Sequence, residues 1–172
     1  MTEQSVHSEH PAEPLPLRPD DLVAFRLGRL MLLLETVPGL PGHKPMDVER
    51  ISLYDFFADN PFLVFDRDSV QHRQLVIAGF DSRNLSYQSS AQRFSSRRER
   101  LQHDLSILVS YALVEANPEA RRVAYALTDE GRELAARHHS LYAQAYRESA
   151  SIIGRELNKL SDRALHERTR SW

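Results

Sequence analysis

The sequence predicts a mainly α fold with a small β-hairpin, an α+β winged helix-turn-helix with a long C-terminal helix. Three observations predict it. Leu101, Leu105, Leu108, Val109 and Leu113 recur at helical spacing. Two short strand-like runs follow at once, Leu113-Val114-Glu115 and Val123-Ala124-Tyr125-Ala126-Leu127, with Asn117-Pro118-Glu119-Ala120 between them as the expected turn. Thr128-Asp129-Glu130 then reads as a helix start, with Thr128 as N-cap and acids in the first turn. Helix, strand, tight connection, strand, helix is the order of a winged helix, and it points to a nucleic-acid-binding or protein-docking module.

Bulk properties narrow this. A chain of 172 residues fits one domain with additions. Its net charge of −2 is unlike that of a dedicated DNA binder, so any phosphate contact must come from a local patch. The absence of cysteine excludes disulfides and thiolate metal sites and suits a cytoplasmic protein. The N-terminus has no signal-peptide pattern, and the longest apolar run, residues 30–34, is far too short to span a bilayer, so no membrane partner is expected.

Three regions are expected: a flexible tail over 1–19, a winged-helix domain over 20–128 and a C-terminal helical arm over 129–172. The tail holds four prolines and few large apolar groups, and its His7 and His10 read as solvated. Asp20 or Asp21 can cap a first helix over 21–37, ended by Pro38-Gly39. Val23, Leu27, Leu30, Leu34 and Val37 form its apolar face, which leaves Arg26 and Arg29 for the wet side. A Gly/Pro loop without phosphate-loop spacing leads to a second helix over 46–59, stopped by Asn60-Pro61. Its aromatics Tyr54, Phe56 and Phe57, with Phe62 beyond, read as core or as a partner-docking groove. Residues 60–90 form an irregular insertion. Asp66 and Asp68 lack the glycine and distal glutamate of a calcium loop, and Leu75-Val76-Ile77-Ala78 is a short apolar run, strand or helix end.

The third helix, over 91–112, begins with Arg93, Arg97, Arg98 and Arg100 against one acid, Glu99. Cations at a helix start oppose the macrodipole, so helix stability does not explain them. A reading helix in a major groove, an acidic protein partner and a merely solvated helix start all fit. Arg121 and Arg122 near the hairpin tip add phosphate contacts or plain solubility. The final helix, unbroken to about residue 158, would span roughly 45 Å at ~1.5 Å per residue. That is more than a winged helix needs, which suggests a dimer helix or a docking arm, with Gly154 as a candidate break. A short basic helix starts at Ser161-Asp162, and Trp172 can anchor a partner.

No metal or catalytic constellation appears, so neither a cofactor nor enzymatic activity is expected. His138 and His139 are adjacent and point to different faces, and nucleophile-elbow, Rossmann and H-E-x-x-H patterns are missing.

Several motifs in order carry a family resemblance. Arg26 to Glu35 reads Arg-Leu-x-x-Leu-x-Leu-Leu-Leu-Glu and precedes the Gly/Pro loop. Leu53-Tyr54-Asp55-Phe56-Phe57-Ala58-Asp59-Asn60-Pro61-Phe62 comes next. Leu113-Val114, Tyr125-Ala126-Leu127-Thr128 and Gly131 follow. Over roughly residues 22–160 the chain resembles the winged-helix middle components of bacterial ABC-three-component systems, related to Lamassu-type anti-phage defence. The stretch from Leu53 to Phe57 discriminates best, because many transcription regulators share the wing. The resemblance implies a non-enzymatic accessory subunit of an SMC-like coiled-coil ATPase complex in anti-phage or anti-plasmid defence. An effector nuclease and double-stranded DNA are further candidate partners.

The alternative is a stand-alone regulator of the MarR or PadR type. It would form a homodimer through the last helix and present the arginines to a palindromic half-site. The negative net charge and the long insertion before the third helix count against it.

Overall fold

The computed structural model describes residues 19–81, 90–119 and 122–169. They form α1 (Val23–Thr36), α2 (Val48–Asp59), α3 (Val70–Ile77), α4 (Ser90–Ser110), β1 (Val114–Glu119), β2 (Arg122–Leu127), α5 (Asp129–Ala136), α6 (Leu141–Leu157) and α7 (Asp162–Thr169). Single 3-10 turns lie at Pro19–Asp21, Val37–Gly39 and Pro61–Leu63. The architecture is mainly α with one antiparallel hairpin. Among the described residues no helix is long and apolar enough to cross a membrane.

Most helices start where a short polar side chain can take an orphan amide. Asp47 accepts from the Arg50 amide at 2.8 Å, Ser69 from His72 at 3.1 Å, Thr128 from Gly131 at 3.0 Å and Ser140 from Ala143 at 3.1 Å. The start of α1 differs from expectation. Leu22 holds the cap position without a side-chain bond, because Asp20 turns to arginines instead. The end of α4 is closed by paired reverse bonds, Leu113 amide to Leu108 carbonyl at 3.0 Å and Ala112 amide to Val109 carbonyl at 2.9 Å. That closure puts Ala112 at φ 55°, where glycine is the usual residue.

The hairpin is longer than expected. Asn117, Pro118 and Glu119 are strand residues paired with Ala124, Val123 and Arg122, not the turn. Pro118 is tolerated because a two-stranded sheet has only edge strands. The connection therefore falls on residues 120–121, and Arg121 lies outside the described residues, as do residues 1–18 and Trp172. Asp47 bridges to Ala124, and the Tyr125 amide donates to the Met46 carbonyl at 2.9 Å, so the residues before α2 extend the sheet by one bridge.

Two further expectations are corrected. The last helix is not continuous to 158. His138 and Arg137 bond back to Ala135 and Leu134, which closes α5, and Ser140 starts α6 afresh. Gly154 marks no break. It is buried within α6, where a Cβ would fall 2.5 Å from Leu40 Cδ1, so its smallness serves packing. The irregular stretch also gains a helix, since Leu75, Val76 and Ile77 end α3 rather than form a strand.

The core is shared along the chain. α6 lies against both α1 and α2. Tyr146, Ala150, Ile153 and Leu157 bury its inner face among Leu30, Leu33, Ile51, Tyr54 and Phe57. Residues 129–157, expected within the C-terminal arm, thus enter the same core as the first two helices. Polar ties cross the interface, with Ser149 donating to the Ala58 carbonyl at 2.6 Å and Tyr54 to Asn158 Oδ1 at 2.8 Å.

Candidate functional site

Two surfaces compete for the role of functional site, the arginine-rich start of α4 and a groove between α3 and α6. At the first, Arg26 and Arg29 are not on the wet side of α1. Both are buried, because each meets a carboxylate supplied by another helix. Arg26 grips Asp104 of α4 through Nε at 2.7 Å and Nη2 at 2.9 Å. Arg29 grips Asp55 of α2 through Nε at 2.8 Å and Nη2 at 3.2 Å. These forks satisfy charges that would be costly to bury alone. The Tyr146 hydroxyl donates to Asp55 at 2.8 Å. Burial and the Asp55 charge push the Tyr146 hydroxyl well above the usual tyrosine range.

Arg97 joins the same cluster. Its side chain is only 12 % exposed and pairs with Asp59 at 2.7 Å, Asp20 at 2.9 Å and Asp55 at 3.5 Å. Asp20 also pairs with Arg29. Burial alone would raise the Asp20 carboxyl, but Arg29 and Arg97 pull it down to about 2. Arg93 bonds Asn60 Oδ1 at 2.5 Å, and both Arg93 and Arg97 lie over the Phe56 ring at 5.8 Å. Arg98 pairs with Glu49, Arg100 donates to the Ser96 carbonyl at 3.2 Å, and Arg122 pairs with Asp47 at 2.7 Å. Of the residues expected to meet an external anion, Arg97, Arg98 and Arg122 thus have acids of their own chain.

The aromatics expected to dock a partner are corrected in part. Tyr54, Phe56 and Phe57 are fully buried, since α2 is covered by α6 on one side and by α4 on another. Only Phe62 lies partly open, its ring 4.5 Å from that of His72.

The second surface has little signature in the sequence. Ile77 and Leu141 are 86 % and 84 % exposed, beside the half-exposed Val76 and Tyr142. Ile77, Leu141 and Tyr142 line a groove of about 670 Å³ together with Ala78, Phe80, Ala145 and Tyr146. Ser140 starts α6 just before Leu141 and so sets that side chain on the rim. Gly79, at φ 100°, ends α3 just past Ile77. The apolar run around Leu75 was the only available signal.

Among the described residues no group of three or more His, Asp or Glu could hold a metal ion. Fold and site together define a small, mainly helical α+β protein with an internally paired arginine cluster and an open apolar groove. Within that class, the chain belongs to the family described as ABC-three component (ABC-3C) system Middle Component 2, whose model matches residues 27–171. The family is a component of ABC-3C defence systems. No curated protein and no solved structure matches the chain.

Proposed function

We propose that this chain is a non-enzymatic accessory subunit that docks a large SMC-like coiled-coil ATPase through the groove between α3 and α6. The observation that carries this reading is the exposure of Ile77 and Leu141 on the rim of one apolar groove. Contiguous exposed apolar surface marks interaction sites on soluble proteins. Covering one aliphatic side chain is worth about 1.5–3 kcal/mol. An apolar stripe on an ATPase helix is the matching occupant, in the helix-in-groove mode.

In the same reading α1, the bridge at Asp47, α2, α4 and the hairpin form a winged helix, with α3 as an insertion. An effector nuclease is a further partner of the assembly. Direct DNA contact ranks below protein docking, and the acids that neutralise Arg97, Arg98 and Arg122 support that ranking. The regulator alternative has less support, because α6 turns Tyr146, Ile153 and Leu157 into its own core rather than toward a second copy.

Co-expression with the ATPase component and affinity pull-down tests the reading. Ile77→Asp combined with Leu141→Asp should abolish co-purification. Arg98→Ala combined with Arg122→Ala should leave it intact. Retention by the first pair, or loss with the second, contradicts the docking assignment.

A further inference from the structure

Four arginines from two helices converge on one residue of the segment that leads into α1. Arg29 and Arg97 hold the Asp20 carboxylate, and Arg26 and Arg100 donate to its backbone carbonyl at 3.0 and 3.4 Å. Three of these arginines also have helix-borne acids, Asp104 for Arg26, Asp55 for Arg29, and Asp55 and Asp59 for Arg97. Asp20 differs from those acids in what carries it. It sits in a 3-10 turn with no buried residue, followed by exposed Leu22 and Val23. Little apolar burial fixes that turn, so its ion pairs with Arg29 and Arg97 are what hold Asp20 in place.

Beside Asp20 lies a cavity of about 150 Å³, lined by Asp59 and Asn60 of the α2 end and by Arg93, Ser96, Arg97 and Arg100 of α4. A water occupies roughly 30 Å³ of liquid, so the space admits a group larger than one water. Arg93, Arg97 and Arg100 stand at i, i+4 and i+7, on one face of α4. The Arg93 Nε–H is buried and has no acceptor among the described residues. A buried donor left unpaired costs about 1–3 kcal/mol, which an incoming acceptor would relieve.

We infer that this cavity is an exchangeable carboxylate site, in which an acidic side chain of a partner takes Arg93 and displaces Asp20 from Arg97. A single carboxylate suits it better than a duplex. The arginine heads are recessed, and Asp20, Asp21 and Asp59 at the cavity oppose the dense phosphate row of DNA. The site lies on α4 and the segment before α1, away from the residues lining the groove of α3 and α6, so either assignment can fail without the other.

The test is titration of a short fluorescein-labelled peptide of alternating glycine and glutamate, followed by anisotropy at low salt. Wild-type protein should bind weakly, and Asp20→Asn, which removes the resident competitor, about tenfold more tightly. Adding Arg100→Ala to Asp20→Asn should reverse the gain, and duplex DNA should show no gain with Asp20→Asn. Equal peptide affinity for wild type and Asp20→Asn, a gain that survives Arg100→Ala, or an equal gain with DNA overturns the inference. If Asp20→Asn lowers the melting temperature below the assay temperature, Arg93→Lys in the wild-type background carries the test. Weaker peptide binding is then expected, and unchanged binding overturns it.

Discussion

The start of α4 and the groove between α3 and α6 meet solvent in opposite ways. Arg97 is charged yet only 12 % exposed, held by Asp20, Asp55 and Asp59. Ile77 is apolar yet 86 % exposed and has nothing to cover it among the described residues. Charge in this protein therefore works largely as internal mortar between α1, α2 and α4, while the groove between α3 and α6 leaves apolar side chains open to solvent. A density of arginines is a poor guide to a binding face when the same fold supplies an acid for most of them.

The comparison breaks most visibly if the cluster proves expendable. Asp55→Ala leaves Arg29 with no buried carboxylate and deprives Arg97 and Tyr146 of a shared acceptor. Removing one partner of a buried pair costs about 3–5 kcal/mol, and urea denaturation should show a loss of that size. A loss below about 1 kcal/mol would mean that the arginines reach water and are free for other work.

The groove should behave in reverse. Ile77→Asp with Leu141→Asp should leave unfolding free energy within about 0.5 kcal/mol of wild type, because both side chains already face water. Affinity for the ATPase component should nevertheless fall by tenfold or more, about 1.4 kcal/mol. Destabilisation without loss of affinity would turn the groove into core.

Acid sharpens the contrast within the cluster. The folded Asp20 carboxyl is held at about 2, below the ~3.9 of an unfolded aspartate. A depressed carboxyl stabilises the folded state above the unfolded value and loses that contribution as pH falls through the folded one. The stability difference between wild type and Asp20→Asn should therefore be constant above about pH 4 and shrink toward pH 2. A difference independent of pH would remove the ion pair from the account. Smallest of all, Arg98→Ala should shift stability by no more than about 1 kcal/mol, since its pair with Glu49 is exposed on both sides.

Much of the scaffold was legible because it follows local rules. The apolar stripe of α4, the Thr128 cap and the Asn60-Pro61 stop are short-range signals, and they place the corresponding elements to within a few residues. The hairpin is legible in the sequence, but its turn is not. Pro118 looks like a turn residue, and only the register with Val123 shows that it sits in a strand. The cluster was harder to read, because Arg26 and Asp104 are 78 residues apart and neither predicts the other. A weak clue existed all the same. Asp55 interrupts Tyr54 and Phe56, and Asp104 stands beside Leu105 on an apolar face, so each carboxylate sat where a partner would be required. The groove had no such clue, since Ile77 becomes a surface residue only through the way α3 lies on α6.

Hydrogen exchange on the complex with the ATPase component tests the central claim most directly. Residues 70–80 and 141–148 should gain protection on binding, and more of it than residues 91–100 of α4. Protection confined to α4 and the hairpin would contradict the account and return the arginine face to the role of partner surface.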